Sequence, residues 1–199
     1  MGQIVIMLKK FKLLNQFFHP EENKVDMSFS PFITTIGGLT LQVMQAGDEN
    51  IPDLLVLERQ VYSGHTPWSK FSFETELRKR KNSLYLVVYH ASDLVAFIGA
   101  RFNPREAHIT NIAVSPKYQN KHIGTYLMQW MINRARKTNC EVVSLEVKID
   151  NNIAQKLYSS LGFKSTFIRK DYYKDTHTDA LNMVLWLKPH RVKKRKFTF

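Results

Sequence analysis

With 199 residues, 44% of them hydrophobic and 23% charged, the chain has the size and composition of one globular domain with its own core. Its single cysteine, Cys140, excludes an intramolecular disulfide and fits a reducing, cytoplasmic setting. The net charge of +12 is unevenly spread: residues 188–199 hold six Lys/Arg and no Asp/Glu, half of the whole excess.

That basic tail reads either as a solvated arm or as one making nonspecific RNA contact through phosphate neutralisation. No run reaches the roughly 20 apolar residues of a membrane span. The apolar start, Met1–Leu8, precedes Lys9 and Lys10, the reverse of a secretory signal. Ile6 stands where myristoylation at Gly2 wants Ser or Thr. No membrane partner is expected.

Residues 1–38 read as a basic N-terminal extension. Leu8–Phe18 has the pattern of a short amphipathic helix, His19-Pro20 breaks it, and Gly37-Gly38 looks like a boundary. The regular part covers 39–187. Leu39–Met44 alternates as a first strand. Asp48 is placed to cap a helix reaching about Val61, and a turn at Gly64–Ser69 leads to a second helix over Phe71–Lys81. Leu84–His90, Leu94–Phe102 and Glu106–Val114 are strands joined by short turns, so neighbours run antiparallel. Ile123–Lys137 carries Tyr126, Leu127, Trp130, Met131 and Arg134 at helical spacing, a core stripe. Val142–Ile149 is a strand with Val143, Leu145 and Val147 on one face, and Ser144, Glu146 and Lys148 on the other. Asp150–Asn152 caps a helix ended by Gly162, and Phe163–Arg169 and Ala180–Leu187 close as a last antiparallel pair. The fold class is α/β: a mixed, mostly antiparallel central sheet of about seven strands, with helices on both faces. It lacks the repeated βα units of a doubly wound nucleotide fold.

Three features carry chemistry. The loop Gln119-Asn120-Lys121-His122-Ile123-Gly124 joins a strand to a helix start, where free amides and Lys121 favour an anion. It lacks the glycines of a dinucleotide fingerprint and the Gly-Lys-Ser/Thr of a P-loop, so an ordinary strand-to-helix connection fits it too. Glu146 sits in mid-strand and needs a partner, a solvated groove, or a raised pKa suited to base work. Tyr158 reads as a core tyrosine with a satisfied hydroxyl. Cys140 lies in a helix-to-strand turn and reads as packing rather than a nucleophile. No His/Cys cluster has metal-ligand spacing, so no metal is expected.

Taken together, Asn111-Ile-Ala-Val114, Gln119-x-x-x-Ile-Gly124, Leu145-Glu146-Val147, Asn151-x-x-Ala154-x-x-Leu157-Tyr158 and Leu161-Gly162-Phe163 resemble the signature of the GNAT family of N-acetyltransferases. Thr66-Pro67-Trp68-Ser69, Arg169-x-x-Tyr172-Tyr173 and Asp179-Ala180-x-x-Met183 resemble its ribosomal-protein-alanine branch, the RimI type. The resemblance covers about residues 39–187. It implies acetyl-CoA as co-substrate and amides of Ile112, Ala113 and Val114 against the pantetheine arm and thioester. It further implies that Asn120, Lys121, His122, Ile123, Gly124 and Thr125 hold the pyrophosphate, and that Asn151 touches the cofactor near its acyl end. Glu146 is implied as general base and Tyr158 as the acid for the departing thiolate.

The implied acceptor is the N-terminal alanine of small-subunit ribosomal protein eighteen. The chemistry suits these residues: an N-terminal amine has a pKa of about 8, so a carboxylate has a proton to draw off at neutral pH. The rivals are the same fold acting on a lysine or small amine, and a non-catalytic module binding acetyl-CoA or RNA. One departure is His122, where the family pattern has glycine. If that site needs positive φ, weaker or pH-dependent cofactor binding is expected.

Overall fold

The computed structural model describes residues 27–62, 64, 66–79, 81–174 and 176–188. Its strands are β1 (Phe32–Ile36), β2 (Leu39–Gln45), β3 (Ser83–His90), β4 (Asp93–Phe102), β5 (Glu106–Val114), β6 (Val142–Lys148), β7 (Lys164–Tyr173) and β8 (Thr178–Trp186). The helices are α1 (Ile51–Val61), α2 (Lys70–Leu77), α3 (Ile123–Lys137) and α4 (Asn152–Ser160). The strands form one sheet in the order β1-β2-β3-β4-β5-β6-β8-β7. Every pairing is antiparallel except β5 with β6, which α3 connects as a crossover.

Helices cover both faces, which explains the composition of the middle strands. In β3, Leu84, Leu86 and Val88 join the core under α3, while Tyr85 and Val87 join the one under α1 and α2. A strand buried on both sides reads as a continuous apolar run. Leu127, Met128 and Met131 of α3 are buried against Val143, Leu145 and Val147 of β6. Leu54 and Leu57 of α1 and Phe73 of α2 are buried against Phe97. Each such side chain contributes roughly 1.5–3 kcal/mol through removal from water. Cys140 is buried in the α3-side core, and burial first of all pushes its thiol up, as packing rather than reactivity requires.

The sheet has eight strands, not seven. β1 lies inside the stretch taken as an extension and pairs with β2 from Phe32↔Val43 to Ile36↔Leu39. Gly37-Gly38, both at positive φ, is the hairpin turn between them rather than a boundary. β1 is a short edge strand with Ile33 exposed, so its pattern carries little hydrophobic signal. Before it, Met27 is buried, Phe29 stacks edge-on against Trp130 at 5.4 Å, and Arg134 donates to the Ser28 carbonyl. The expected helix at Leu8–Phe18 and the tail from 189 onward lie outside the described residues. No described helix is long and apolar enough to cross a membrane.

Candidate active site

β5 and β6 are paired only over Glu106–His108 with Val142–Ser144 and part beyond that point. The rest of β5 therefore turns one backbone edge into an opening. Ser115 N–H donates to Val95 O on β4 at 2.9 Å. Alternation along an extended strand then directs the amides of Ile112 and Val114 into the opening and that of Ala113 toward β4. This corrects the expectation that all three amides serve one ligand: Ala113 pairs with Phe97. A bulge at Thr110, between Gly99↔Asn111 and Ala100↔Ile109, sets the side-chain phase. It leaves Ile112 and Val114 against the α3-side core and turns Asn111 toward α1.

At the end of the opening stands the N-terminus of α3. No side chain caps this helix, so its first amides are available to a ligand. Gly124 brings that first turn close to both Val114 and Leu157 of α4, with an added Cβ meeting their methyls at 3.6 and 3.8 Å. Both Asn120 (φ 59°) and His122 (φ 64°) occupy the left-handed region. His122 therefore stands where a glycine would be unstrained. His122→Gly is expected to stabilise the fold by about 0.5–1 kcal/mol, strain relief of roughly 1–2 less the added chain entropy. A thermal melt raised by a few degrees, with acetyl-CoA binding retained, is the check.

The β1–β2 turn buttresses the same loop. A Cβ at Gly37 would lie 2.8 Å from the Lys121 carbonyl oxygen and 3.0 Å from its Cβ, and Gly37 has φ 57°. Gly37→Ala is expected to displace Lys121 and cost about 1–2 kcal/mol. Calorimetric titration with acetyl-CoA should show weaker binding, while Gly38→Ala, with nothing within 4 Å, strains only its own turn. Asn151 spends Oδ1 on the cap of α4, accepting from Ala154 N–H at 3.1 Å, which leaves its Nδ2 end for a ligand.

Glu146 projects from β6 toward the α1/α2 face, and its side chain is only 7% exposed. It has partners on three strands. His108 Nε2 of β5 lies 3.2 Å from Oε2, and Asn182 Nδ2 of β8 donates to Oε1 at 3.1 Å. Arg169 Nε of β7 sits 3.0 Å from Oε1 as an ion pair, without the alignment of a hydrogen bond. Burial pushes the carboxyl up, but His108, Arg169 and Asn182 together outweigh it and leave Glu146 below its ordinary value. Of the three environments open to this residue in the sequence, the partnered one is observed.

Tyrosines surround this carboxylate. Tyr173 Oη lies 3.5 Å from the Glu146 carbonyl, and Tyr172 stacks edge-on against Tyr173 at 5.1 Å. Burial raises Tyr173 first, with further contributions from Tyr172, Tyr62, Glu146 and Tyr158, so these groups converge. Tyr158 of α4 is buried against Phe163, and burial followed by Tyr62 raises its phenol far above the usual range. Tyr62 follows α1 on one face and Tyr158 lies on the other. The Tyr62 phenol is close enough to add to the rise of Tyr158.

Sequence reasoning misses two residues here. His108 alternates with Ala107 and Ile109, on the face of Glu106, and only the parallel register His108↔Ser144 brings it to β6. Glu58 is fully buried; its Oε2 accepts from Trp68 N–H at 3.0 Å and its Oε1 from Asn111 Nδ2 at 2.8 Å. Burial pushes it up to about 7 against those two bonds. A signal for it exists: Glu58 falls four residues after Leu54, on the apolar side of α1.

The arrangement is an opening with outward amides, an uncapped helix start at one end, and a buried carboxylate held by His108, Arg169 and Asn182 beside Tyr172 and Tyr173. Residues 51–163 match the model of the acetyltransferase (GNAT) family. The N-alpha-acetyltransferase RimI of Mycobacterium tuberculosis is 35% identical over 153 residues, 75% of this chain and 90% of that one. The [ribosomal protein bS18]-alanine N-acetyltransferase of Escherichia coli K12 is 34% identical over 121 residues, 60% of this chain and 80% of that one. A crystal structure of the E. coli ribosomal-protein-S18-alanine N-acetyltransferase superposes with a TM-score of 0.67 at 27% identity, covering 77% of this chain and 97% of that one. The helix start left uncapped and the two amides turned into the gap fit the pyrophosphate and amide-rich arm of acetyl-CoA. The chain belongs to the GNAT family and is an acetyl-CoA-dependent N-acetyltransferase.

Proposed function

We propose that the acceptor is the N-terminal amine of a protein, with the alanine that heads small-subunit ribosomal protein eighteen as its physiological target. The observation that carries this reading is the buried Glu146 beside the opening, held ionised by Arg169 and His108 and bordered by Tyr172 and Tyr173. The activities for which the M. tuberculosis and E. coli relatives are named support it. In this reading acetyl-CoA supplies an acyl group on a thiolate leaving group. The loop from Asn120 to Thr125 and the first amides of α3 hold its phosphates, and Asn151 borders the arm.

Glu146, ionised at neutral pH, draws the proton from the incoming ammonium through water. A carboxyl held low is a weak resting place for that proton, which makes the hand-off brief. The amides of Ile112 and Val114 stabilise negative charge developing on the thioester oxygen. Tyr158 keeps its proton at neutral pH and so remains an O–H donor toward the departing sulfur. The basic end at 188–199 would add a nonspecific contact to RNA, a reading supported by its charge alone.

Peptides beginning with Ala, Ser or Met, and an N-blocked lysine peptide, incubated with acetyl-CoA and read by intact mass, test the acceptor. Acetylation of the alanine peptide is expected. Modification confined to lysine would overturn the acceptor assignment.

A further inference from the structure

β5 carries one residue more than β4 can pair. Gly99 faces Asn111 and Ala100 faces Ile109, so Thr110 between them has no opposite. The ladder does not fix an extra residue, and moving it along β5 past Ile112 would reverse the phase of the residues it passes. The Ile112 amide would then turn toward β4 and leave the opening. The place of the bulge therefore decides which amide a ligand meets.

Two side-chain bonds hold the bulge from the α1/α2 face. Tyr85 Oη of β3 and Thr110 Oγ1 lie 2.6 Å apart. The phenol reaches across β4 because Gly99, its cross-strand neighbour, has no side chain: an added Cβ would fall 2.1 Å from the ring Cζ. The second bond runs from Asn111 Nδ2 to Glu58 Oε1 at 2.8 Å, and Glu58 Oε2 is itself held by Trp68 N–H. The two anchors lean on each other, since the Trp68 ring packs 6.0 Å from that of Tyr85. Glu58 is fully buried, and burial is the largest influence on its carboxyl, raising it against both bonds. A charge in such a place costs stability, so packing alone favours an apolar side chain there. What the carboxylate adds is two oxygens that accept without donating, one for Trp68 and one for Asn111.

Resting on the reading that the Ile112 amide meets the thioester oxygen, we propose that Glu58 is a positioning residue for acetyl transfer. Acting through Asn111, it pins the bulge at Thr110 and so aims the Ile112 amide into the opening. Tyr85 is the second pin, one residue earlier on β5. An oxyanion donor works only when it points at the place where charge will develop. A slack bulge therefore lowers turnover, while the amides at the start of α3 keep the phosphates of the cofactor bound.

Carbon-13 NMR of acetyl-CoA labelled at the acetyl carbonyl and bound to the full chain tests this without turnover. A hydrogen bond to the thioester oxygen moves that resonance downfield, away from the free cofactor. The shift is expected in the wild type and is expected to shrink in Glu58→Leu and in Asn111→Leu. In both variants kcat is expected to fall about tenfold, a part of the 10²–10³ that loss of an oxyanion donor costs. Calorimetry should find acetyl-CoA affinity within about threefold of the wild type, as phosphate contacts at the helix start persist. The double variant is expected to be no worse than either single one, because both cut the same tie. Tyr85→Phe keeps the packed ring, loses the bond to Thr110, and is expected to move the resonance in the same direction. A shifted wild-type resonance that none of the three single variants moves would overturn the proposal alone, as would full additivity of Glu58→Leu and Asn111→Leu. A wild-type resonance at the position of free acetyl-CoA would overturn the reading of the Ile112 amide, and the proposal with it.

Discussion

Replacing Glu146 by glutamine is expected to lower turnover by on the order of 10²-fold or more, without abolishing acetyl-CoA binding. The loss has two sources. The amide takes no proton from the acceptor, and Arg169 and His108 lose the anion they share. Removing one partner of a buried pair costs roughly 3–5 kcal/mol. Because the Arg169 side chain is 39% exposed, solvent screens much of that here, and about 2 kcal/mol is expected. The sign with pH follows from the direction of the shift. Glu146 is lowered from its ordinary 4.5, so its contribution is full above 4.5 and fades as pH falls through the folded value. Urea unfolding of both proteins should show a gap that is constant from pH 6 to 8 and closes in acid. Unchanged kcat with unchanged stability would remove Glu146 from both roles.

The second large effect runs in the opposite direction. Glu58 is raised from its ordinary 4.5 to about 7, so between those values the folded protein holds a proton that the unfolded chain has released. Stability therefore declines as pH rises from 4.5 to 7, and the full penalty, about 3 kcal/mol, stands above 7. Glu58→Gln removes the charge but leaves one of two donors, Trp68 N–H or Asn111 Nδ2, without an acceptor, a loss of about 1 kcal/mol. The variant is expected to match the wild type near pH 5 and to exceed it by about 2 kcal/mol at pH 8. Urea titrations at the two pH values check this, and parallel pH curves for both proteins would place the titration elsewhere. The penalty has a structural return: this carboxylate ties the loop carrying Trp68 to Asn111, immediately before the outward amides of Ile112 and Val114.

Local patterns carried much of the fold. Glu106–Val114 and Ile123–Lys137 have the ends their periodicity predicts, because a buried strand and a 15-residue amphipathic helix repeat their signal many times. Weaker signals failed. The second helix stops at Leu77 rather than Lys81, and the last strands begin at Lys164 and Thr178 rather than Phe163 and Ala180. β1 has five residues on a sheet edge and leaves almost no alternation to detect. Position 122 was legible as a departure from the family pattern, and its φ of 64° is the strain that departure implies.

The sequence by itself determined the fold class, through local periodicity, and resemblance to the family's motifs implied the family and marked Glu146, Tyr158 and the loop from Asn120 to Thr125 as candidates. Tertiary structure alone decided the rest. Strand order places β8 between β6 and β7, which supplies Asn182 and Arg169 to Glu146. The short parallel register of β5 with β6 supplies His108 and then opens the gap. The bulge at Thr110 decides which side chains face α1, and the bond from Ser115 to Val95 decides which amides face a ligand. The reason is physical: periodicity records which face a residue occupies, but hydrogen-bond partners and charge neighbours come from strands far apart in the chain, joined only when the sheet closes.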